Sequence, residues 1–158
     1  MKRLFLLCLA AALAAVACAK RQQAPKPLYM WFDCEANYAR LSHPDSIRHY
    51  VRKCREAGMT ALVLDIKGTS SEVVYPSEYA PQVREWKGFT RPDFDFVGTF
   101  VDAAHDAGLE IYGSFNTFAE GNGVFRRGLI YDGHSEWQAV NYVPGKGLMP
   151  QLEIPDKK

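Results

Sequence analysis

Leu28-Tyr29-Met30-Trp31-Phe32-Asp33-Cys34-Glu35-Ala36-Asn37 is the stretch on which the fold turns. Leu28 to Cys34 is an aromatic and apolar run that favours a strand, and it ends in the polar group Asp33, Glu35 and Asn37. The turn after such a strand separates two kinds of parallel α/β fold. A dinucleotide-binding domain needs a glycine-rich turn here, so that backbone can approach a pyrophosphate; Asp33-Cys34-Glu35-Ala36-Asn37 contains no glycine. Bulky polar groups at the C-terminal ends of successive strands are instead what a (β/α)8 barrel presents to its substrate.

Downstream, Ser42-His43-Pro44-Asp45 puts a proline and an acid in a first helical turn. Ile47, Tyr50, Val51, Cys54 and Ala57 come next at helical spacing, and Gly58 stops the helix. Ala61 to Ile66 is a continuous apolar run with Asp65 near its end, as in a strand buried on both faces of a parallel sheet. After a long polar loop, Pro92-Asp93-Phe94-Asp95 opens a second helix with Val97, Phe100, Val101 and Ala104 on one face, ending at Gly108; Leu109 to Phe115 reads as a third strand. The junctions Glu56-Ala57-Gly58-Met59 and Asp106-Ala107-Gly108-Leu109 repeat one pattern of acid, small residue, stopping glycine and large apolar residue. The alternation predicts an α/β fold with a parallel sheet, and the polar strand ends predict the N-terminal part, about three βα units, of a (β/α)8 TIM-type barrel. Eight units take about 250 residues, so the barrel domain at 28–158 is expected to be incomplete. Its inward layer, from Tyr29, Trp31, Leu62 or Val63 and Ile111 or Tyr112, should then lack the opposite strands that would bury it.

The first residues are of a different kind. Lys2 and Arg3 precede an apolar run from Leu4 to Leu13 and the small residues Ala14-Ala15-Val16-Ala17, the three regions of a secretory signal. The run is shorter than the about 20 apolar residues that a permanent membrane helix takes. Cys18 comes directly after it, as in the lipobox of bacterial lipoproteins, with Ala15 in place of the usual Leu. The expected organisation is a signal over 1–17, a lipidated Cys18, a polar tether over 18–27 and the barrel portion over 28–158. The expected location is the cell envelope, in the periplasm or on the outer membrane, held by the lipid anchor. Removing 1–17 takes away two bases and no acid, which turns the net charge of +1 to −1; nothing in that balance points to nucleic acid.

The residues that could carry chemistry gather at the strand ends: Asp33, Glu35 and Asn37 from the first, Asp65 and Lys67 from the second, Ser114 and Asn116 from the third. Such groups suit a polyhydroxylated ligand, and paired carboxylates there are what glycoside hydrolysis uses. They also cap loops and pair with bases. Loop aromatics at Tyr75, Tyr79, Trp86, Phe118, Phe125, Trp137 and Tyr142 could stack on sugar faces or pin loops, and Trp86 and Trp137 are the strongest candidates for stacking. No pair of histidines has metal-ligand spacing, Asp93 and Asp95 read as helix-start residues, and neither metal nor cofactor is expected. Cys34 and Cys54 are expected to be two separate buried thiols, with a disulfide between them as the alternative.

Three pieces resemble the glycosyl hydrolase-like family ten of Bacteroides-type exported proteins. They are Trp31-Phe32-Asp33-Cys34-Glu35-Ala36-Asn37, Leu62-Val63-Leu64-Asp65-Ile66-Lys67 with Glu72-Val73-Val74-Tyr75, and Ala103-Ala104-His105-Asp106-Ala107-Gly108-Leu109-Glu110-Ile111. Trp137-Gln138-Ala139-Val140-Asn141-Tyr142 through Gly147 looks like the loop before that family's fourth strand. The resemblance implies a glycoside hydrolase acting on a poly- or oligosaccharide, present as a fragment without the presumed catalytic strands and inactive alone. No catalytic residue carries over; Asp33, Glu35, Asp65 and Asn116 do, as binding residues. The alternative is a non-catalytic surface glycan-binding lipoprotein.

Overall fold

The computed structural model describes residues 26–151, so the signal, Cys18 and most of the tether lie outside the described residues. In chain order the elements are β1 (Tyr29–Phe32), α1 (Pro44–Glu56), β2 (Ala61–Lys67), β3 (Glu85–Trp86), β4 (Phe89–Thr90), α2 (Phe96–Asp106), β5 (Glu110–Phe115), a 3-10 turn at Ser135–Trp137, β6 (Val140–Val143) and β7 (Gly147–Pro150).

Local chemistry sets both helices. His43 caps α1 by accepting the Asp45 N–H on Nδ1 at 3.2 Å, and Pro44 takes the first position, where its missing N–H costs nothing. Asp95 caps α2, its Oδ1 accepting the Gly98 N–H at 2.8 Å; a Cβ at residue 98 would collide with that carboxylate. Gly58 and Gly108 end the helices at φ +84° and +66°, a backbone region that favours glycine.

β1, β2 and β5 form one parallel sheet in that order, with Phe32 beside Leu64 and Leu64 beside Gly113. Side chains alternate across its two faces. On one face Phe32, Leu62 and Leu64 join Ile47, Val51 and Cys54 of α1 and Phe96, Phe100 and Ala104 of α2 in a single core, where Phe100 meets the Phe32 and Phe96 rings edge-on at 5.1 and 5.2 Å. The other face holds Tyr29, Trp31, Val63 and Tyr112, and its three rings are about half exposed, at 52%, 59% and 47%. Of the alternatives offered by the apolar runs, Val63 and Tyr112 thus lie on the open side, and Leu62 is fully buried on the helix side.

The expectation of a barrel fragment with three βα units is overturned. The described residues hold two α-helices and seven short strands in three small sheets, and no closed barrel. β5 is a third parallel strand, but no α-helix comes after it among the described residues. Residues 116–139 carry Gly121, Gly123, Gly128 and Gly133, each costing a helix about 1 kcal/mol relative to alanine, and show no continuous apolar stripe to offset that loss. The last strands pair with each other as an antiparallel hairpin, Val140 opposite Pro150 and Val143 opposite Gly147, instead of extending the parallel sheet. A second small hairpin, β3 with β4, lies in the connection after β2.

Candidate functional site

The C-terminal ends of the three parallel strands open into a small cleft. Asp33, Cys34, Glu35 and Tyr38 come from the turn after β1, Asp65 from β2, Gly68, Thr69, Ser70, Glu72, Val74 and Val83 from the connection after β2, and Asn116 from the end of β5. Its free volume, about 70 Å³, admits a few water-sized groups, so the edge of a ligand enters and not a whole large molecule.

Each expected site residue has a definite place. Glu35 is committed to building the wall: its carboxylate accepts the Thr69 N–H at 2.9 Å, the Thr69 hydroxyl at 3.0 Å and the Ser70 hydroxyl at 3.2 Å. The chain passes so close that a Cβ at Gly68 would overlap the carboxylate. Asp33 holds its own turn, accepting the Ala36 N–H at 2.8 Å, and remains exposed at the cleft mouth. Asp65 is half-buried and faces the cleft without a hydrogen bond or ion pair to any described residue. Asn116 lines the opposite side, its amide donating to the Lys67 carbonyl at 3.3 Å.

The other expected groups turn elsewhere. Lys67 points its Nζ away from the ligand space, to the carbonyls of Asn116 and Ala119 at 2.8 and 3.0 Å and to Glu120 at 2.8 Å. Asn37 braces the turn after β1, donating to the Asp33 carbonyl and accepting from Arg40. Trp86 is a core residue, packed edge-on against Phe125 at 5.2 Å, with the Arg127 guanidinium 5.3 Å from its ring centre. Trp137 is exposed but lies outside the cleft, stacked on His134 at 4.0 Å.

Electrostatics narrow the chemistry. Burial first, then the Asp65 and Asp33 carboxylates, push the Cys34 thiol far above its ordinary range. Both causes disfavour the thiolate, the form that acts as a nucleophile. Both described cysteines, Cys34 and Cys54, are buried and free. Among the described residues no group of His, Cys, Asp and Glu could hold a metal ion. Glu72 is neutralised by a bidentate pair with Arg127, at 2.5 and 2.6 Å, and Arg127 also reaches Glu85 at 3.4 Å. What the cleft offers a ligand is a set of acceptors, led by Asp65, beside the exposed amide of Asn116; the Thr69 and Ser70 hydroxyls are spent on Glu35.

The wall formed by Thr69, Ser70 and Glu72 is not among the residues expected to form a site. Its signal is present in Gly68-Thr69-Ser70-Ser71-Glu72, a glycine and small hydroxyl residues leaving the end of a buried strand, where a βα loop carries function.

No protein-family model matches the chain, and no solved structure matches it. The chain is similar to an S-layer-related protein of Niallia circulans, 29% identical over 124 residues, which covers 74% of this chain and 8% of that protein. It thus spans less than a tenth of the length of this relative.

Proposed function

We propose that this chain belongs to an exported, lipid-anchored protein of the cell envelope and binds a poly- or oligosaccharide in the cleft at the ends of β1, β2 and β5. Asp65 carries the reading. A half-buried carboxylate without a partner is costly, and a ligand hydroxyl donating to it recovers the lost hydrogen bond. The neighbouring Asn116 amide adds a donor to the acceptors of the cleft, and a sugar edge needs both. The export signal at 1–17 and the similarity to an S-layer-related protein support a location at the cell surface, with Cys18 as the anchor. Asp65→Asn should weaken binding of a responsive oligosaccharide about tenfold, the scale of one charge-assisted hydrogen bond, whereas Asp102→Asn on the exposed side of α2 should leave it unchanged. Equal losses from both changes, by calorimetry, would remove the case for the cleft. For the anchor, Cys18→Ser should release the exported protein from the membrane fraction.

One observation favours glycosidic hydrolysis by the protein as a whole. Phe32 pairs with Leu64, so Asp33 and Asp65 follow paired positions on adjacent strands, and both line the cleft. A carboxylate pair is what a glycosidase requires. The acidic motif implied by the resemblance falls outside the pieces that match, so this chain alone should not cleave glycans. Turnover by the purified chain that survives Asp33→Asn and Asp65→Asn would speak against a role for this pair.

A further inference from the structure

From the way the cations around the cleft are used, we infer its ligand class: it takes sugars with a free amine in preference to neutral ones, and turns away sugars with a carboxylate. This rests on the reading of the cleft as a saccharide site and adds the charge it selects.

Four carboxylates line the cleft, at Asp33, Glu35, Asp65 and Glu72, and no base does. Of three bases around the cleft, Lys67 and Arg91 are turned away from these acids and Arg127 is spent on one of them, Glu72. Lys67 is 12% exposed and spends its three ammonium donors on two carbonyls and Glu120, outside the cleft. Arg127 cancels Glu72 and shares its remaining edge with Glu85, which leaves nothing for the other three acids. Arg91 is buried behind the wall, donating to the Val74 carbonyl at 3.1 Å with its guanidinium 4.5 Å from the centre of the Phe96 ring.

Glu35 is held by uncharged donors from Thr69 and Ser70, and Asp33 by a backbone N–H, so neither is paired with a base. Asp65 adds a third carboxylate without a base on the face a ligand meets. An ammonium placed here gains a partner that the protein does not supply. A second carboxylate meets like charge in a partly desolvated space, where Coulomb interactions are several times stronger than in water. Alkyl amines without sugar hydroxyls would leave the exposed Asn116 amide unused, so the recognised unit is an amino sugar and not a simple cation.

The test is a competition series with the mature chain, using matched oligomers of glucosamine, glucose and glucuronic acid. Binding should fall in that order, with about tenfold or more between the first and last at low salt, and the gap should close as salt screens it. Asp65→Asn should shrink the ratio between the amine and acid arms more than it weakens the neutral arm. Acidic oligomers binding as tightly as neutral ones at low salt would overturn the inference and leave the cleft reading standing. Binding of none of the three would overturn both. A preference for the amine that survives Asp65→Asn and high salt unchanged would also overturn it, since the selectivity would not come from these charges.

Discussion

The connections after β2 and after β5 occupy equivalent places in the sheet, and they are held in different ways. The one after β2 buries Ser70, Ser71, Val73, Val74, Val83, Trp86 and Arg91. The one after β5 adds no hydrophobic side chain to the buried core, which ends at Leu109. Apart from the Phe125 ring set edge-on against Trp86, its attachment is polar: Lys67 grips Glu120 and two carbonyls, Arg127 grips Glu72 and Glu85, the Asn122 amide donates to the Thr69 hydroxyl at 2.9 Å, and the Leu129 N–H donates to the Ser71 hydroxyl at 2.9 Å. One wall of the cleft is therefore packed, and the other is tied. Apolar packing is non-directional and cooperative with the core, whereas a few directed bonds can open locally while the rest of the fold persists.

The largest effect should come from breaking the packed connection. Trp86→Ala removes a nearly fully buried indole and should cost about 3–5 kcal/mol, seen as a cooperative drop in the denaturant midpoint of the whole domain. The indole N–H has no partner among the described residues. Trp86→Phe should consequently cost clearly less than the lost ring volume alone implies, because it also removes an unsatisfied donor. Equal losses for Trp86→Phe and Trp86→Ala would show that the N–H is satisfied in solution.

The tied connection should fail differently. Arg127→Ala leaves Glu72, 12% exposed, without its ion pair. The site is intermediate between a surface and a buried pair, so the expected cost is about 1–3 kcal/mol. The loss should stay local. Amide exchange should speed up at Asn122, whose N–H bonds the Arg127 carbonyl, and at Ile130, whose N–H bonds the Glu120 carbonyl, while Leu62 and Leu64 in β2 keep their protection. Uniform acceleration across the sheet would mean that the two connections are not independent.

Alkali should act in the opposite sense, on the packed side. Burial raises the Cys34 thiol, and the same cause raises Tyr38, whose hydroxyl donates to the Val83 carbonyl at 3.3 Å, and Cys54 in α1. Below the ordinary thiol value of 9.0 these thiols are neutral in both folded and unfolded chains. Above it the unfolded chain releases protons that the folded chain retains, so stability falls as pH rises past about 9. Cys34→Ala should flatten that slope in denaturant titrations at about pH 7 and pH 10. An unchanged slope would remove burial of Cys34 as its cause.

The same contrast explains what is legible in the sequence. The strands and helices of the packed half can be read because strong local signals agree there: Pro44 and Asp45 after a cap, the Ile47, Val51 and Cys54 stripe, Asp95, and glycines ending both helices. The cleft's position is marked by Asp33, Asp65 and Asn116 at successive strand ends. The use of each group is not marked. Whether Lys67 faces a ligand or Glu120 depends on a residue 53 positions away, and Glu35 finds its hydroxyl donors 34 and 35 positions away. Sequence spacing carries no record of such long-range pairs. The barrel expectation fails for a related reason: it extends the repeat of strand and helix across 116–139, where glycines replace the apolar stripe that a third helix would need.

The smallest effect is also the sharpest test of the comparison, because it uses the same residue type in the other region. Trp137 is 53% exposed and stacks on His134 within a single 3-10 turn, and no core residue packs on it. Aromatic stacking between exposed rings contributes about 0.5–1.5 kcal/mol at most, and the substituted site can rehydrate without leaving a cavity. Trp137→Ala should therefore shift global stability by no more than about 0.5 kcal/mol, within the range of surface changes, against several for Trp86→Ala. Tryptophan fluorescence provides a second readout. Of the three tryptophans, Trp31 and Trp137 are more than half exposed and Trp86 is buried, so removing Trp137 should shift the native emission towards the blue, and removing Trp86 should shift it towards the red. If Trp137→Ala instead destabilised the domain by several kcal/mol, or left the emission unmoved, this indole would have to be covered in solution, and the region after β5 would hold a packed core of its own.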